Sequence, residues 1–230
     1  MAPSLSVVFP MWNEEAYIRR AVSAAQDILK GEDHEIIIVD DASTDATGAI
    51  AAELARSDPR VRVLTNPTNL RLGATLRRGF AAATKDLILY TDADLPFDLQ
   101  ELPRAVRLLD YQQADLLSAY RFDRTLEGPL RSIYTFFYTR IVRLLFGLRV
   151  KDVNFAFKLF RRSLLERFPL KSEGSFIDAE LLIRARRSGA RIIQIGVDYF
   201  PRSRGQSSLA SPGVILKILR EMLGLWPELR

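Results

Sequence analysis

Leu87-Ile88-Leu89-Tyr90-Thr91-Asp92-Ala93-Asp94-Leu95-Pro96-Phe97 decides how the rest of the chain is read. Leu87 to Tyr90 is an apolar and aromatic run of strand length, and Pro96 cannot continue a ladder of backbone hydrogen bonds. Between them stand carboxylates at i and i+2. Full burial of both would be very costly, so they belong just past the strand, at the mouth of a site. Two acids there, with a pyrophosphate opposite, suit a hard divalent cation that prefers a few carboxylates plus phosphate oxygens. An Asp-rich surface turn has the same composition, and the triplet alone does not separate the two readings.

Upstream of this strand the chain alternates. Leu5-Ser6-Val7-Val8-Phe9-Pro10 reads as a short strand stopped by proline, with Asn13 capping the next helix and Glu14 and Glu15 in its first turn. Ile18, Val22, Ala25 and Leu29 give that helix one apolar face. Glu35-Ile36-Ile37-Ile38-Val39 is the β-branched run expected of a parallel strand covered on both sides. Asp40-Asp41-Ala42-Ser43-Thr44-Asp45 follows, then a helix over 46–56, a strand at Arg62-Val63-Leu64 and a helix over 73–84. The opening stretch is then the fourth strand of an α/β protein with an open, mostly parallel, Rossmann-like sheet flanked by helices. Ligands in such sheets bind beyond the carboxyl ends of the strands. Pro10-Met11-Trp12-Asn13-Glu14, Asp40-Asp41 and Asp92-Ala93-Asp94 therefore face one crevice. No Gly-x-Gly-x-x-Gly follows the first strand and no Walker-type loop occurs, which excludes the dinucleotide and P-loop readings.

With 230 residues, 48% of them hydrophobic, the chain is long enough for one α/β domain with a sizeable core. It has no cysteine, which excludes disulfides, thiolate catalysis and Cys-based zinc sites. The one histidine, His34, follows Gly31-Glu32-Asp33 and reads as a solvated loop residue, leaving little for a Ser-His-Asp triad. The net charge of +5 suits phosphates or an anionic membrane surface. Nucleic acid is not expected, because the basic residues mix with acids and no stacking motif is present. No stretch resembles a signal peptide, and no run approaches the roughly 18 apolar residues that cross a bilayer. The expectation is a cytoplasmic protein, peripheral at the cytoplasmic face of a membrane.

Four motifs carry a family resemblance. Pro10-x-Trp12-Asn13-Glu14, Ile37-Ile-Val-Asp-Asp41-Ala-Ser-Thr-Asp45, Asn69-Leu-Arg-Leu-Gly73 and Asp92-Ala93-Asp94 occur in the order seen in family-two glycosyltransferases of the GT-A fold. Arg121, Lys151-Asp152-Val-Asn154-Phe-Ala-Phe157-Lys158, Asp178-Ala-Glu180 and Arg202-Ser-Arg204-Gly205-Gln-Ser207 resemble the dolichyl-phosphate mannose synthase branch, which includes polyprenyl-phosphate glucosyltransferases. The resemblance spans about residues 5 to 210 and implies a catalytic domain over 1–210, with a C-terminal amphipathic helix over 211–230. It implies a base-and-ribose pocket at Pro10, Trp12, Glu14 and Asp41. Asp92, Ala93 and Asp94 would meet the donor diphosphate and, through the two carboxylates, Mg²⁺ or Mn²⁺. Arg121 and Arg202 would hold phosphate near the reacting carbon, with Arg204 and Ser207 beside Arg202 on the acceptor phosphate. Trp12 stands where tyrosine is usual, Arg71 where a glycine is, and Ser208 where a lysine is often found. Phe155-Ala156 replaces a pair that more often contains glycine.

The implied reaction is inverting transfer of a hexose, mannose or glucose, from a GDP- or UDP-linked sugar to a polyprenyl or dolichyl phosphate. A phosphate monoester has a second pKa of about 6, so such an acceptor needs positioning more than deprotonation. Arginines supply that positioning through forked, charge-assisted hydrogen bonds. Asp152 is a candidate additional acid near the sugar; pairing with Lys151 or an arginine is the other reading. A soluble acceptor, or a non-catalytic nucleotide-sugar-binding protein, are the alternatives. Two helical stretches bear on membranes: 131–147, rich in aromatics with Arg131, Arg140 and Arg143, and 213–226, where Ile215, Ile218, Leu219, Met222 and Trp226 share a face. Each suits either a bilayer interface or packing on the domain core.

Overall fold

The structure, a computed structural model, describes residues 3–123, 129–200 and 212–230. Strands β1 (Leu5–Met11), β2 (His34–Asp40), β3 (Val61–Thr65), β4 (Leu87–Thr91), β5 (Leu116–Arg121), β6 (Phe157–Arg161) and β7 (Ile192–Val197) form one sheet in the order β3-β2-β1-β4-β6-β5-β7. The helices are α1 (Ile18–Ile28), α2 (Thr47–Ser57), α3 (Arg71–Ala82), α4 (Leu102–Tyr111), α5 (Pro129–Phe146), α6 (Ile177–Arg187) and α7 (Pro212–Leu229). β1 pairs in parallel with β2 and β4, β2 with β3, and β5 with β7. β6 alone runs the other way, antiparallel to both β4 and β5. The sheet is thus mostly parallel, as expected.

Alternation along the strands divides the core into two layers. Val7, Phe9, Ile36, Ile38 and Leu89 pack on one face against Ile18, Val22, Leu102 and Leu109 of α1 and α4. Val8, Ile37, Val39, Tyr90 and Phe160 pack on the other against Leu76 and Phe80 of α3, Leu181 of α6 and Met222 of α7. Gly79 lets α3 lie directly on the sheet; a Cβ there would come within 2.5 Å of Val8 Cγ1. On α7, Ile218 and Met222 are buried and Trp226 lies 5.2 Å from the Phe146 ring, so that apolar face packs on the core. α5 buries Val142 and Phe146 but leaves Phe136, Phe137 and Leu144 exposed.

Two local expectations are corrected. His34 is buried as the first residue of β2, with Nδ1 2.8 Å from Glu32 O, because pairing with Leu5 of β1 starts there. Asn13 does not cap α1, which begins at Ile18 after a turn. Its backbone adopts φ +55°, and its side chain accepts instead from the Thr44 N–H.

Candidate functional site

Because β1, β2, β4, β5 and β7 run one way, their carboxyl ends share an edge, and the segment entering antiparallel β6 arrives at that same edge. Trp12, Glu14, Asp41, Asp92, Asp94, Arg121 and Asp152 therefore all lie on it, each at or just beyond a strand terminus. Strained backbone marks the same place. Of the five non-glycine residues with positive φ among the described residues, Asn13 (+55°) and Ala42 (+57°) lie two residues past β1 and β2, Leu95 (+45°) directly follows Asp94, and Arg71 (+69°) opens α3. Such conformations persist only where surrounding structure enforces them, and they concentrate at functional sites.

On the β1–β2 side the two loops are stitched together. Asn13 N–H donates to Ser43 Oγ at 2.9 Å, and Thr44 N–H returns to Asn13 Oδ1 at 2.8 Å. Glu14 N–H donates to Thr47 Oγ1 at 2.8 Å, and Ala46 N–H to Glu15 Oε2 at 2.9 Å. Asp45 accepts from Thr47 N–H at 2.9 Å; burial raises its pKa, but hydrogen bonds from Thr47 and Glu15, among others, together outweigh this and leave it below the ordinary value. Trp12 stands out from this base half exposed, next to partly exposed Pro10 and Glu14. Asp41, by contrast, is buried, and its oxygens accept from Asn66 Nδ2 (2.7 Å), Leu70 N (2.8 Å) and Arg71 N (3.0 Å). Its immediate work is to hold the 66–71 segment over the end of β2.

After β4 the chain turns back on itself, with Leu95 N–H donating to Asp92 O at 3.2 Å. Asp92 and Asp94 stay partly exposed on the turn while Ala93 and Leu95 are buried beneath them. Burial raises the Tyr90 pKa well above its ordinary value, and the charges of Asp178, Asp92 and Asp94 push the same way. Among the described residues no group of three or more His, Cys, Asp or Glu side chains could hold a metal by itself. Two carboxylates at an open edge fit a cation of the Mg²⁺ or Mn²⁺ type, whose remaining positions go to water and substrate phosphate.

Aromatic rings link the acid turn to the basic side of the crevice. Phe97 stacks on Phe157 at 4.6 Å and meets Phe155 edge-on at 5.8 Å. The Phe155 ring in turn carries the Arg121 guanidinium at 5.1 Å, with Tyr199 at the same distance on that cation. Arg121 Nε donates to Asp152 Oδ2 at 2.9 Å in a pair whose side chains are 4% and 0% exposed. Asp152 is thus the partner of an arginine, the second of its two readings.

Sequence reasoning missed the pair behind this edge. Lys158, fully buried in β6, donates to Phe155 O at 2.8 Å and meets Asp178 Oδ1 of α6 at 2.8 Å. Burial raises the Asp178 pKa, opposed by Lys158 and assisted by Asp152. The signal was a lone charge inside the strand-like run Phe157-Lys158-Leu159-Phe160. Glu180, also fully buried, accepts from Lys171 and Ser172 backbone N–H groups and from Arg184 Nε, and so fixes the chain at 171–172. Arg202, Arg204 and Ser207 lie outside the described residues. Phe200, the last described residue before them, donates its N–H to Pro96 O beside the acid turn at 2.9 Å.

The sequence model of Glycosyl transferase family 2 matches residues 6–168. The chain is 31% identical to the glycosyltransferase AglD of Haloferax volcanii, over 98% of this chain and 37% of that protein. It is 26% identical to the undecaprenyl-phosphate mannosyltransferase of Micrococcus luteus, over 90% of this chain and 88% of that one. It is 27% identical to the polyprenol monophosphomannose synthase of Mycolicibacterium smegmatis, over 90% and 82%. The chain therefore spans much less than the full length of AglD but most of the two mannose transferases. Glucosyl-3-phosphoglycerate synthase of Mycobacterium tuberculosis, solved with phosphoglyceric acid, superposes with a TM-score of 0.75 at 25% identity, over 95% of this chain and 80% of that one. The same enzyme with Mn²⁺, UDP-glucose and phosphoglyceric acid gives 0.77 at 22% identity, over 98% and 80%. With its strand-end acids, its mostly parallel sheet and a family match over most of its length, the chain belongs to glycosyl transferase family 2.

Proposed function

We propose that this protein is an inverting, metal-dependent hexosyltransferase that moves mannose or glucose from a GDP- or UDP-linked sugar to a polyprenyl or dolichyl phosphate. The observation that carries this reading is one edge holding the strained acid turn of Asp92 and Asp94 and, through Phe97 and Phe155, a fixed arginine. Two relatives similar over most of their length are named for polyprenyl or undecaprenyl phosphate acceptors and mannose. The neighbour solved with Mn²⁺ and UDP-glucose supports a metal-assisted nucleotide-sugar donor on this fold.

Each residue then has a task. Trp12, Pro10 and Glu14 form the wall for base and ribose. Asp41 shapes that pocket by holding the 66–71 segment, and Asp92, Ala93 and Asp94 meet the diphosphate. Asp92 and Asp94 would hold a divalent cation, which when bound would supply Lewis-acid stabilisation of the departing nucleoside diphosphate. Arg121 holds phosphate charge near the reacting carbon, aimed by Asp152 and kept flat by Phe155 and Tyr199. The acceptor phosphate, already largely dianionic, attacks the anomeric carbon from the face opposite the leaving group, so no residue is required as general base. Arg202, with Arg204 and Ser207, clamps that phosphate. In support, Phe200, two residues before Arg202 in the chain, donates its N–H to Pro96 O beside the acid turn. The protein works at the cytoplasmic face of a membrane; among the described residues no helix is long and apolar enough to cross one.

A soluble phosphorylated acceptor is the second reading, favoured by the neighbour solved with phosphoglyceric acid. Transfer of labelled sugar from a panel of GDP- and UDP-sugars to short polyprenyl phosphate and to phosphoglycerate tests both. Polyprenyl phosphate should be the better acceptor. Asp94→Asn should lose about 100-fold in rate, equivalent to roughly 2.7 kcal/mol. Arg202→Ala should raise the acceptor KM and lower kcat while leaving donor affinity unchanged. Full activity of Asp94→Asn in chelator, or transfer to phosphoglycerate alone, would defeat the corresponding assignment.

A further inference from the structure

Beside the crevice the structure carries a second feature that sugar transfer does not use. One wall is α5, which presents Phe136, Phe137, Arg140 and Arg143; the other is the segment with Arg149 and Lys151, running along edge strand β7. Together they enclose a groove of about 810 Å³. The second wall is fixed in place: Lys151 N–H donates to Gln194 Oε1 at 2.7 Å, and Gln194 Nε2 donates to Arg149 O at 3.1 Å. Lys151 Nζ reaches Tyr120 Oη at 2.9 Å. Its neighbour in the chain is Asp152, the partner of Arg121, so the groove begins one residue from the candidate active site.

Four cations stand together along this groove, whereas several surface arginines elsewhere are paired. Arg19, Arg60, Arg104 and Arg167 each meet a carboxylate: Glu53, Asp58, Glu101 and Asp115. Among the described residues, Arg140, Arg143, Arg149 and Lys151 meet none, and no carboxylate lines the groove. All four are exposed, as are Phe136 (62%), Phe137 (59%) and Leu144 (77%). Unneutralised cations invite an anionic partner. Bulky apolar side chains standing among them in water are out of place against a polyanion in solution, but suit a surface that is anionic outside and apolar just beneath.

We infer that this groove and the exposed flank of α5 dock the protein on a bilayer of anionic phospholipid. Headgroup phosphates pair with Arg140, Arg143, Arg149 and Lys151, while Phe136, Phe137 and Leu144 enter the boundary between headgroups and acyl chains. The inference rests on the reading that the acceptor is held in a membrane, and it adds the face by which the enzyme meets that membrane. α7 packs Ile218 and Met222 on the core and leaves Leu216 and Leu223 exposed.

Sedimentation of the full chain with vesicles tests it, comparing phosphatidylcholine alone with phosphatidylcholine containing phosphatidylglycerol. Wild type should bind the phosphatidylglycerol vesicles at least about 10-fold more tightly, with the advantage shrinking as salt rises. Arg140→Gln/Arg143→Gln/Arg149→Gln should remove that advantage while leaving transfer to a short, water-soluble acceptor unchanged. Phe136→Ala/Phe137→Ala should weaken binding even at high salt, where pairing is screened. The single glutamine variants, each with a smaller loss, carry the test if the triple variant does not fold. Equal binding to both vesicle types, or no loss in any arginine variant, overturns the inference. So does binding to a single-stranded oligonucleotide as tight as to the vesicles and insensitive to the phenylalanine changes; the groove would then belong to nucleic acid. Transfer to short polyprenyl phosphate without vesicle binding sinks the docking face alone, and vesicle binding without transfer sinks the acceptor reading alone.

Discussion

At the end of β2, Asp41 takes three hydrogen bonds from the 66–71 segment, which leaves its two oxygens little capacity for a ligand. Asp41→Asn turns one acceptor into a donor facing those N–H groups. It should cost about 1.5–3 kcal/mol, because hydrogen bonds to a charged group are lost. Thermal unfolding and donor titration, measured together, should both deteriorate. Loss of donor affinity at unchanged Tm would show that the carboxylate reads the base directly. Arg71, held by the same carboxylate at φ +69°, occupies a position where its family resemblance favours glycine. The backbone supplies the reason, since glycine enters that region without a steric penalty. Arg71→Gly should therefore stay within about 1 kcal/mol of wild type, whereas Arg71→Val should lose clearly more. The acid turn was legible because carboxylates after an apolar run have few places to go. The pairing of Arg121 with Asp152 was legible only as one of two readings, because the partners are far apart in the chain and meet through β6.

Elements divide between holding the sheet and furnishing the edge. Glu35, on β2 at the end away from the crevice, accepts from Ser6 Oγ, Thr84 N–H and Oγ1, and Arg62. Burial works to raise its pKa, but these hydrogen bonds win and leave it below its ordinary 4.5. A carboxyl held low in the folded state adds stability above the unfolded-state value, and loses it as pH falls through the folded-state value. Glu35→Gln should thus be less stable at neutral pH, with a flatter loss below about pH 4.5; denaturant midpoints across pH 3–7 measure this. A parallel curve would remove Glu35 from the acid response. Of the four N-terminal strands, β1, β2 and β4 could be read in advance as compact apolar runs, and β3, Val61 to Thr65, by its place in the alternation. β6 could not: Lys158 interrupts its pattern, and the Asp178 that neutralises it lies on another element. His34 misled for a similar reason, since pairing with Leu5 extends β2 back into a polar segment.

For the whole molecule, the candidate site is an edge shared by most of the strands, so a ligand there should stabilise the entire domain. A donor nucleotide at 100 times its Kd adds about 2.7 kcal/mol, and a chain of this size gains about 2–4 °C per kcal/mol. GDP or UDP with Mn²⁺ should therefore raise Tm by roughly 5–10 °C. Nucleotide in chelator should give much less, because the two turn carboxylates would face the diphosphate unscreened. Equal shifts with and without metal would argue against Asp92 and Asp94 as ligands. The reciprocal hydrogen bonds between the loops after β1 and β2 carry one more consequence. Backbone groups of Asn13, Glu14, Thr44 and Ala46 are already committed across the two loops, so neither loop can fluctuate alone. Whatever enters from this edge meets a floor whose conformational entropy was surrendered during folding, and little of its binding energy is spent on ordering that floor.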